Sequence, residues 1–144
     1  MALSAEKARL RIGQPISVGV APVAASTTIY KGALIAVVSG GAAGYATNAA
    51  TATTHIVLGV ATATVVNSGA AGAKSVPYEA GDFEFTNSAS ADLIDQGDTG
   101  ATVYVVDNDV VALTDGSSSR SVAGLVVGMN GTKPIVRVGL GLKS

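Results

Sequence analysis

The sequence predicts an all-β protein: a small β-barrel or sandwich of short antiparallel strands with an extended N-terminal arm. Hydrophobic residues make up 48% of the chain and aromatic residues only 4%, so we expect a core of small and β-branched side chains. The apolar residues come in short runs separated by turn residues, which is typical of sandwiches and barrels. We expect an arm over residues 1–20 and a single β domain over residues 21–144.

The arm carries the clearest helical signal. Ser4 is placed to cap a turn over residues 5–10, and Gly13 is placed to end it. So short a helix is not stable alone in water, so we expect the arm to become ordered when something binds it. The arm also contains three basic residues, Lys7, Arg9 and Arg11. They could steer an encounter with a partner, but a solvated arm is the simpler explanation.

After Pro15 the sequence takes on strand patterns. The first predicted strands cover residues 16–20, 28–38, 45–47, 55–66 and 82–86. Gly32 and Gly59 interrupt two of them, which indicates a bulge or sharp bend at each. The last segment alternates with period two, so Phe83 and Phe85 are predicted to point inward.

Two β-hairpins are predicted after residue 100. The first joins residues 103–106 to 110–113 through Asp107-Asn108-Asp109. The second joins residues 125–129 to 135–138 through a turn that contains Asn130-Gly131. Asn-Gly tolerates the positive φ angles of a type I′ turn, so the second hairpin has the stronger signal.

A weak internal repeat relates the two halves of the domain. Residues 32–35 and 100–103 both begin with Gly-Ala and lie 68 positions apart. Residues 57–60 and 122–125 share Val-x-Gly and lie 65 positions apart. Each copy would form a hairpin and a return strand, and two copies could close one small barrel. Chance similarity in a chain rich in Ala, Val and Gly is an equal alternative.

The composition disfavours several classes of function. Charged residues make up 13% of the chain, against roughly 25% in typical soluble domains. The 9 basic and 10 acidic residues leave a net charge of −1, without the clustered Lys and Arg of a nucleic-acid-binding protein. Cysteine is absent, which excludes disulfides and thiolate metal sites. The longest strongly apolar run, residues 33–38, is far shorter than the ~20 residues of a membrane helix.

The sequence offers little to support catalysis. His55 is the single histidine, and a place at the edge of a loop is favoured over acid–base work. Asp82 and Glu84 share one face of a strand, where a solvated surface is favoured over a paired acid site. Asp107-Asn108-Asp109 resembles the start of a calcium loop, but Val111 occupies a ligand position and no Glu closes the loop. We therefore expect no enzymatic activity, no cofactor and no metal.

Several short motifs follow one another in a characteristic order. They are Gly81-Asp82-Phe83-Glu84-Phe85, the Gly-Asp to Val-Tyr segment 96–104, and residues 32–37, 58–61, 123–126 and 134–138. In this order, residues 28–140 resemble the phage capsid cement (head decoration) proteins of the small-barrel type. The resemblance implies a virion protein, made in the host cytoplasm, that binds the outer face of the assembled capsid, often as a trimer. Its partner would be the major capsid protein.

The arm does not align with that family, so its role is inferred from the change of residue pattern at Pro15. We expect it to contact the capsid or a neighbouring subunit, or to add a strand to an exposed edge. The residues assigned to this contact are Lys7, Arg9, Leu10, Arg11 and Ile12.

Two other classes of protein remain open. A tail-tube or other virion structural protein would share this composition, but tube subunits should polymerise alone. A carbohydrate-binding β module usually presents aromatic platforms to sugars, and this chain has no Trp, 4 Tyr and 2 Phe.

Overall fold

A computed structural model describes residues 2–9, 17–39 and 44–140. Within these ranges the protein is all-β, with short antiparallel strands and two 3₁₀ turns, Ser90–Asp92 and Gln96–Asp98. The strands are β1 (Ser17–Pro22), β2 (Thr27–Ile29), β3 (Leu34–Val38), β4 (Ala46–Asn48), β5 (His55–Ala61), β6 (Val65–Asn67), β7 (Ser75–Glu84), β8 (Thr102–Val105), β9 (Val111–Ala112), β10 (Val122–Asn130) and β11 (Lys133–Val138).

The main sheet follows the order β4-β3-β5-β7-β11-β10-β8-β9, and β1 also pairs with β7. Strand β7 is the longest: residues 75–80 pair with β1, and residues 81–84 pair with β11. In the part of the chain that the structure describes, the sheet is open, with β4 and β9 at the ends of the path. The sandwich form of the predicted fold is therefore the one observed, and the closed barrel is not.

The two faces of β3 bury their side chains in different cores. Leu34 and Ala36 belong to an inner core, which also receives Phe83 and Phe85. The outer core lies on the other face, where the two-stranded β2–β6 sheet contributes Ile29 and Val65. Remaining members of the outer core are Ala21, Val23, Ala33, Ile35, Ala46, Leu58, Ala61 and Val76. The alternation is the period-two pattern of a strand that is covered on both faces.

The internal repeat is present in the strand register. Ile35 of β3 pairs with Gly59 of β5, and a register shift follows. Val103 of β8 pairs with Gly124 of β10, again next to a register shift. These pairs keep the offsets of 68 and 65 residues expected from the sequence. The two halves do not face the same way, because Leu58 is in the outer core while Ala123, its equivalent, is in the inner core.

One local prediction is wrong, because residues 2–9 contain no helical turn. The predicted β10–β11 hairpin is confirmed, and its turn contains Asn130 and Gly131. Asn130 pairs with Lys133, so the central residues of the turn are Gly131 and Thr132. Gly131 has φ +62° whereas Thr132 is not among the residues with positive φ, which is the sign pattern of a type II′ turn instead of type I′.

The arm and the domain meet earlier than expected. Strand β1 begins at Ser17, so residues 17–20 belong to the sheet rather than to the arm that was expected to end at residue 20.

Among the described residues there is no apolar helix of the length that a membrane span requires.

Two glycines of β10 differ sharply in the space around them. A Cβ on Gly124 would clash with the carbonyl of Arg137 on β11, whereas a Cβ on Gly128 would meet nothing. We expect Gly124→Ala to lower the free energy of unfolding by about 3 kcal/mol, because backbone would have to move. Gly128→Ala is the control in the same strand and should change it by less than about 1 kcal/mol. Urea unfolding measures both, and equal values for the two variants would contradict the register described here.

Candidate functional site

The N-terminal segment, residues 2–9, lies against the body of the domain. The backbone N–H of Leu3 donates to Oδ1 of Asn108 at 2.7 Å, and its side chain packs on the outer core. The backbone N–H of Lys7 donates to the carbonyl of Lys31 at 2.9 Å. The segment is therefore held at both its beginning and its end by distant parts of the same chain.

A buried carboxylate binds the two cations of this segment. Oδ1 of Asp109 lies 2.7 Å from Nζ of Lys7 and 2.7 Å from Nη2 of Arg9. The hydroxyl of Thr86 donates to the other oxygen, Oδ2, at 3.0 Å. We call Lys7, Arg9, Thr86 and Asp109 the Asp109 cluster.

Arg9 is the most enclosed member of the cluster, with 2% of its side chain exposed. Its Nη1 donates to the carbonyl of Glu84 at 2.8 Å, and its Nε donates to the carbonyl of Gly32. Its Cζ lies 4.6 Å from the ring centroid of Phe85, within the range of a cation–π contact. Arg9 thus joins the β2–β3 turn, the end of β7 and the Asp109 turn.

The turn at residues 107–109 also has hydrogen bonds that do not involve the N-terminal segment. Oδ1 of Asp107 accepts from the backbone N–H groups of Asp109 and Val110, at 2.8 and 2.9 Å, which fixes an Asx turn. Nδ2 of Asn108 donates to Oδ1 of Asn48 at 2.9 Å and so ties the turn to β4. The turn interpretation of Asp107-Asn108-Asp109 is confirmed. No group of potential metal ligands is found in the described ranges.

The ionisation of Asp109 follows from these contacts. Burial alone would raise its pKa, but the hydrogen bonds from Lys7 and Arg9, together with their charges, outweigh that effect and lower the pKa. The carboxylate is therefore held in its charged form. A buried carboxylate with two cationic partners can clamp a segment, but it has no free oxygen to offer a substrate.

The structure places the predicted contact residues as follows. Lys7 and Arg9 direct their charged groups into their own chain, and Lys7 keeps 31% of its side chain exposed. Leu10, Arg11 and Ile12 lie outside the described residues. Sequence reasoning missed Asp109 as the acceptor of both cations, because more than a hundred positions separate it from Lys7.

Strand β1 presents the most exposed large apolar side chains among the described residues. Val18 is 71% exposed and Val20 is 70% exposed, and both lie on one face of the strand. On the opposite face, the ring of Tyr78 covers Gly19, where a Cβ would lie 2.6 Å from the ring. Among the described strands, β1 pairs with β7 alone. The two valines therefore offer an apolar candidate binding surface on a strand without charged residues, with Glu79 of β7 as the cross-strand neighbour of Val18.

Asp82, Glu84 and His55, which the sequence singled out, form structural contacts. Asp82 pairs with Arg137 through two hydrogen bonds of 2.7 and 2.9 Å, and Glu84 lies 3.8 Å from Nζ of Lys133. Phe83 and Phe85 point inward as predicted. Asp82 and Glu84 lie on the opposite face, but with 20% and 16% of their side chains exposed they are half-buried in ion pairs and not solvated as expected. Nδ1 of His55 accepts from the backbone N–H of Ala50 at 3.3 Å, and burial lowers the pKa of His55.

Comparison of the chain with protein-family models, curated proteins and solved structures finds no match. The class of protein that the structure itself defines is an all-β antiparallel sandwich. Any function must be argued from the surfaces and clusters described above.

The Asp109 cluster should contribute strongly to stability. We expect Asp109→Asn to lower the free energy of unfolding by about 3 kcal/mol, because it leaves the enclosed Arg9 without its counter-charge. Asp82→Asn removes the same type of pair at Arg137, which is 40% exposed, and should cost less than about 1 kcal/mol. Chemical denaturation compares the two, and a larger loss in Asp82→Asn would refute the assignment.

The cluster should also make stability depend on acidity. Because the pKa of Asp109 is lowered in the folded protein, its contribution is present above the ordinary carboxyl pKa and is lost as pH falls through the folded-state value. We expect Asp109→Asn to show a shallower loss of stability on acidification than the unsubstituted chain. Urea midpoints measured from neutral to acidic pH test this, and parallel curves would contradict it.

Proposed function

We propose that this chain is a structural virion protein that binds the outer surface of a phage capsid and stabilises the mature shell. The observation that carries the proposal is the apolar strand β1, whose Val18 and Val20 are left in solvent by the fold. Contiguous exposed apolar surface is typical of protein–protein contacts, and we place the contact at these two neighbouring valines. The order of motifs that resembles the cement proteins supplies the kind of partner.

The energetics suit attachment to a repeating surface. Burying two valines contributes only about 2 kcal/mol per copy, a weak contact on its own. A capsid offers many identical positions, so copies that also contact one another gain by multivalency. We infer that the chain is a homo-oligomer, a trimer, on the major capsid protein. If the chain binds the mature lattice and not its precursor, binding stabilises the mature lattice by mass action.

The Asp109 cluster supports the proposal by keeping the domain rigid. Through Arg9, the cluster ties the N-terminal segment to the carbonyl of Gly32 in the β2–β3 turn and to the carbonyl of Glu84 at the end of β7. Since a rigid partner loses less conformational entropy on binding, even a small apolar contact can be effective. The charges of Lys7 and Arg9 act within the chain on this account, and the capsid contact is apolar.

A carbohydrate-binding role has less support. Such a module would present an aromatic face, and in the described ranges both Phe residues are buried and the four Tyr residues are half-buried. Tyr78 covers Gly19 instead of a ligand surface.

The test uses mature capsids stripped of their decoration and the purified chain. We expect the chain to co-pellet with the capsids and to raise their melting temperature. Val18→Ser combined with Val20→Ser should weaken binding by at least about tenfold, because both contacts become polar. Val66→Ser is the matched control, since Val66 is 57% exposed on β6, which pairs with β2 in a different sheet from β1.

The outcomes distinguish an error in the contact surface assigned to β1 from an error in the proposed cement function. Binding by the unsubstituted chain with no effect of the β1 substitutions would move the contact to another surface. Absence of binding, or spontaneous growth of tubes by the purified chain, would overturn the cement function and favour a tail protein.

A further inference from the structure

The tip of the β10–β11 hairpin combines a reactive sequence with exposure. Asn130 is exposed and is followed by Gly131, also exposed, which has φ +62° and open space where a side chain would begin. A glycine after asparagine leaves the next backbone nitrogen sterically open, because no side chain shields it. The hairpin register fixes Asn130 as the last paired residue and Gly131 as the first residue of the turn.

We propose that Asn130 is a site of spontaneous deamidation, with the backbone nitrogen of Gly131 as the nucleophile and water as the co-reactant. The Gly131 nitrogen loses its proton to solvent base and bonds to Cγ of Asn130. The Cγ–Nδ2 bond then breaks, and Nδ2 leaves as ammonia after taking up a proton. Water opens the resulting cyclic imide at either carbonyl and yields aspartate or isoaspartate. No oxidant or reductant is required.

One hydrogen bond restrains this reaction in the folded protein. Nδ2 of Asn130 donates to Oε2 of Glu84 at 2.7 Å, across the sheet from the turn. Oε1 of the same carboxylate lies 3.8 Å from Nζ of Lys133. The side-chain amide is thus held toward β7, and on this proposal it leaves Glu84 before Cγ meets the Gly131 nitrogen. Glu84 therefore acts as a positioning residue that sets the rate.

The product changes the chemistry of the turn. An aspartate at position 130 cannot donate to Glu84, so a hydrogen bond becomes a repulsion between two carboxylates, with Lys133 as the nearby cation. Isoaspartate also adds a backbone atom to the chain where β10 and β11 are in register. Both products should loosen the end of the hairpin while leaving the buried cores in place.

Other asparagines provide controls within the same chain. Asn67 and Asn87 are each followed by Ser, but their amides are held by several carbonyls. Nδ2 of Asn67, which is 2% exposed, donates to the carbonyls of Val23, Ala24 and Ala70. Nδ2 of Asn87 donates to those of Ile94 and Thr132. These residues should stay intact while Asn130 reacts.

The experiment incubates the purified full chain in mildly alkaline buffer and follows it by peptide mass spectrometry and an isoaspartate assay. We expect acid at position 130 to accumulate with time, together with isoaspartate, while positions 67 and 87 remain amides. Glu84→Ala should raise the rate about fivefold, the equivalent of one net hydrogen bond. Asn130→Gln should abolish the product, because the longer side chain does not close the five-membered imide readily.

Each outcome bears on the proposal. An intact Asn130 after prolonged incubation, in a chain whose unfolded form does react there, would overturn it. An unchanged rate in Glu84→Ala would remove Glu84 from the account. Lys133→Ala is a matched variant that alters the same carboxylate without touching the amide, and it should leave the rate close to that of the unsubstituted chain.

Discussion

Strand β7 is the element on which both halves of the protein depend. Its first part pairs with β1 and β5, and its second part pairs with β11. Val76 and Tyr78 face the outer core, while Phe83 faces the inner core. A slip of one residue would turn every one of these side chains to the wrong face. Strand β1 and the Asp109 cluster are also positioned from β7, through Tyr78 and the carbonyl of Glu84.

Small side chains allow the strands to lie in this arrangement. Gly59 and Gly124 face backbone carbonyls of β7 and β11, at positions where any Cβ would clash. Both glycines stand beside a register shift, so each bulge in the repeat depends on the missing side chain. The low aromatic content is visible in the inner core, which consists mostly of Val and Ala around Phe83 and Phe85.

The sequence predicted two kinds of feature correctly. Period-two alternation, which is a local pattern, placed Phe83 and Phe85 inward. Similarity between two distant segments predicted the offsets that the strand register shows. The helical turn in the arm was predicted wrongly because Ser4 and its neighbours give a local helical signal, while Asp109 binds Lys7 and Arg9 from a distant turn. The inverted facing of Leu58 and Ala123 was equally hidden, since it depends on which core covers each half.

The distribution of charge connects the fold to the proposed attachment. Lys7 and Arg9 of the N-terminal segment both pair inside the chain with the carboxylate of Asp109, and Asp82 pairs with Arg137 on the neighbouring strand. Strand β1 itself carries no charged residue, although Glu79 of β7 lies opposite Val18. Contact made by the two valine side chains desolvates few charges, so weak apolar burial is not cancelled. On the proposed function, the intramolecular ion pairs therefore matter twice: they hold the domain rigid, and they keep its cations from competing with the apolar strand for the capsid.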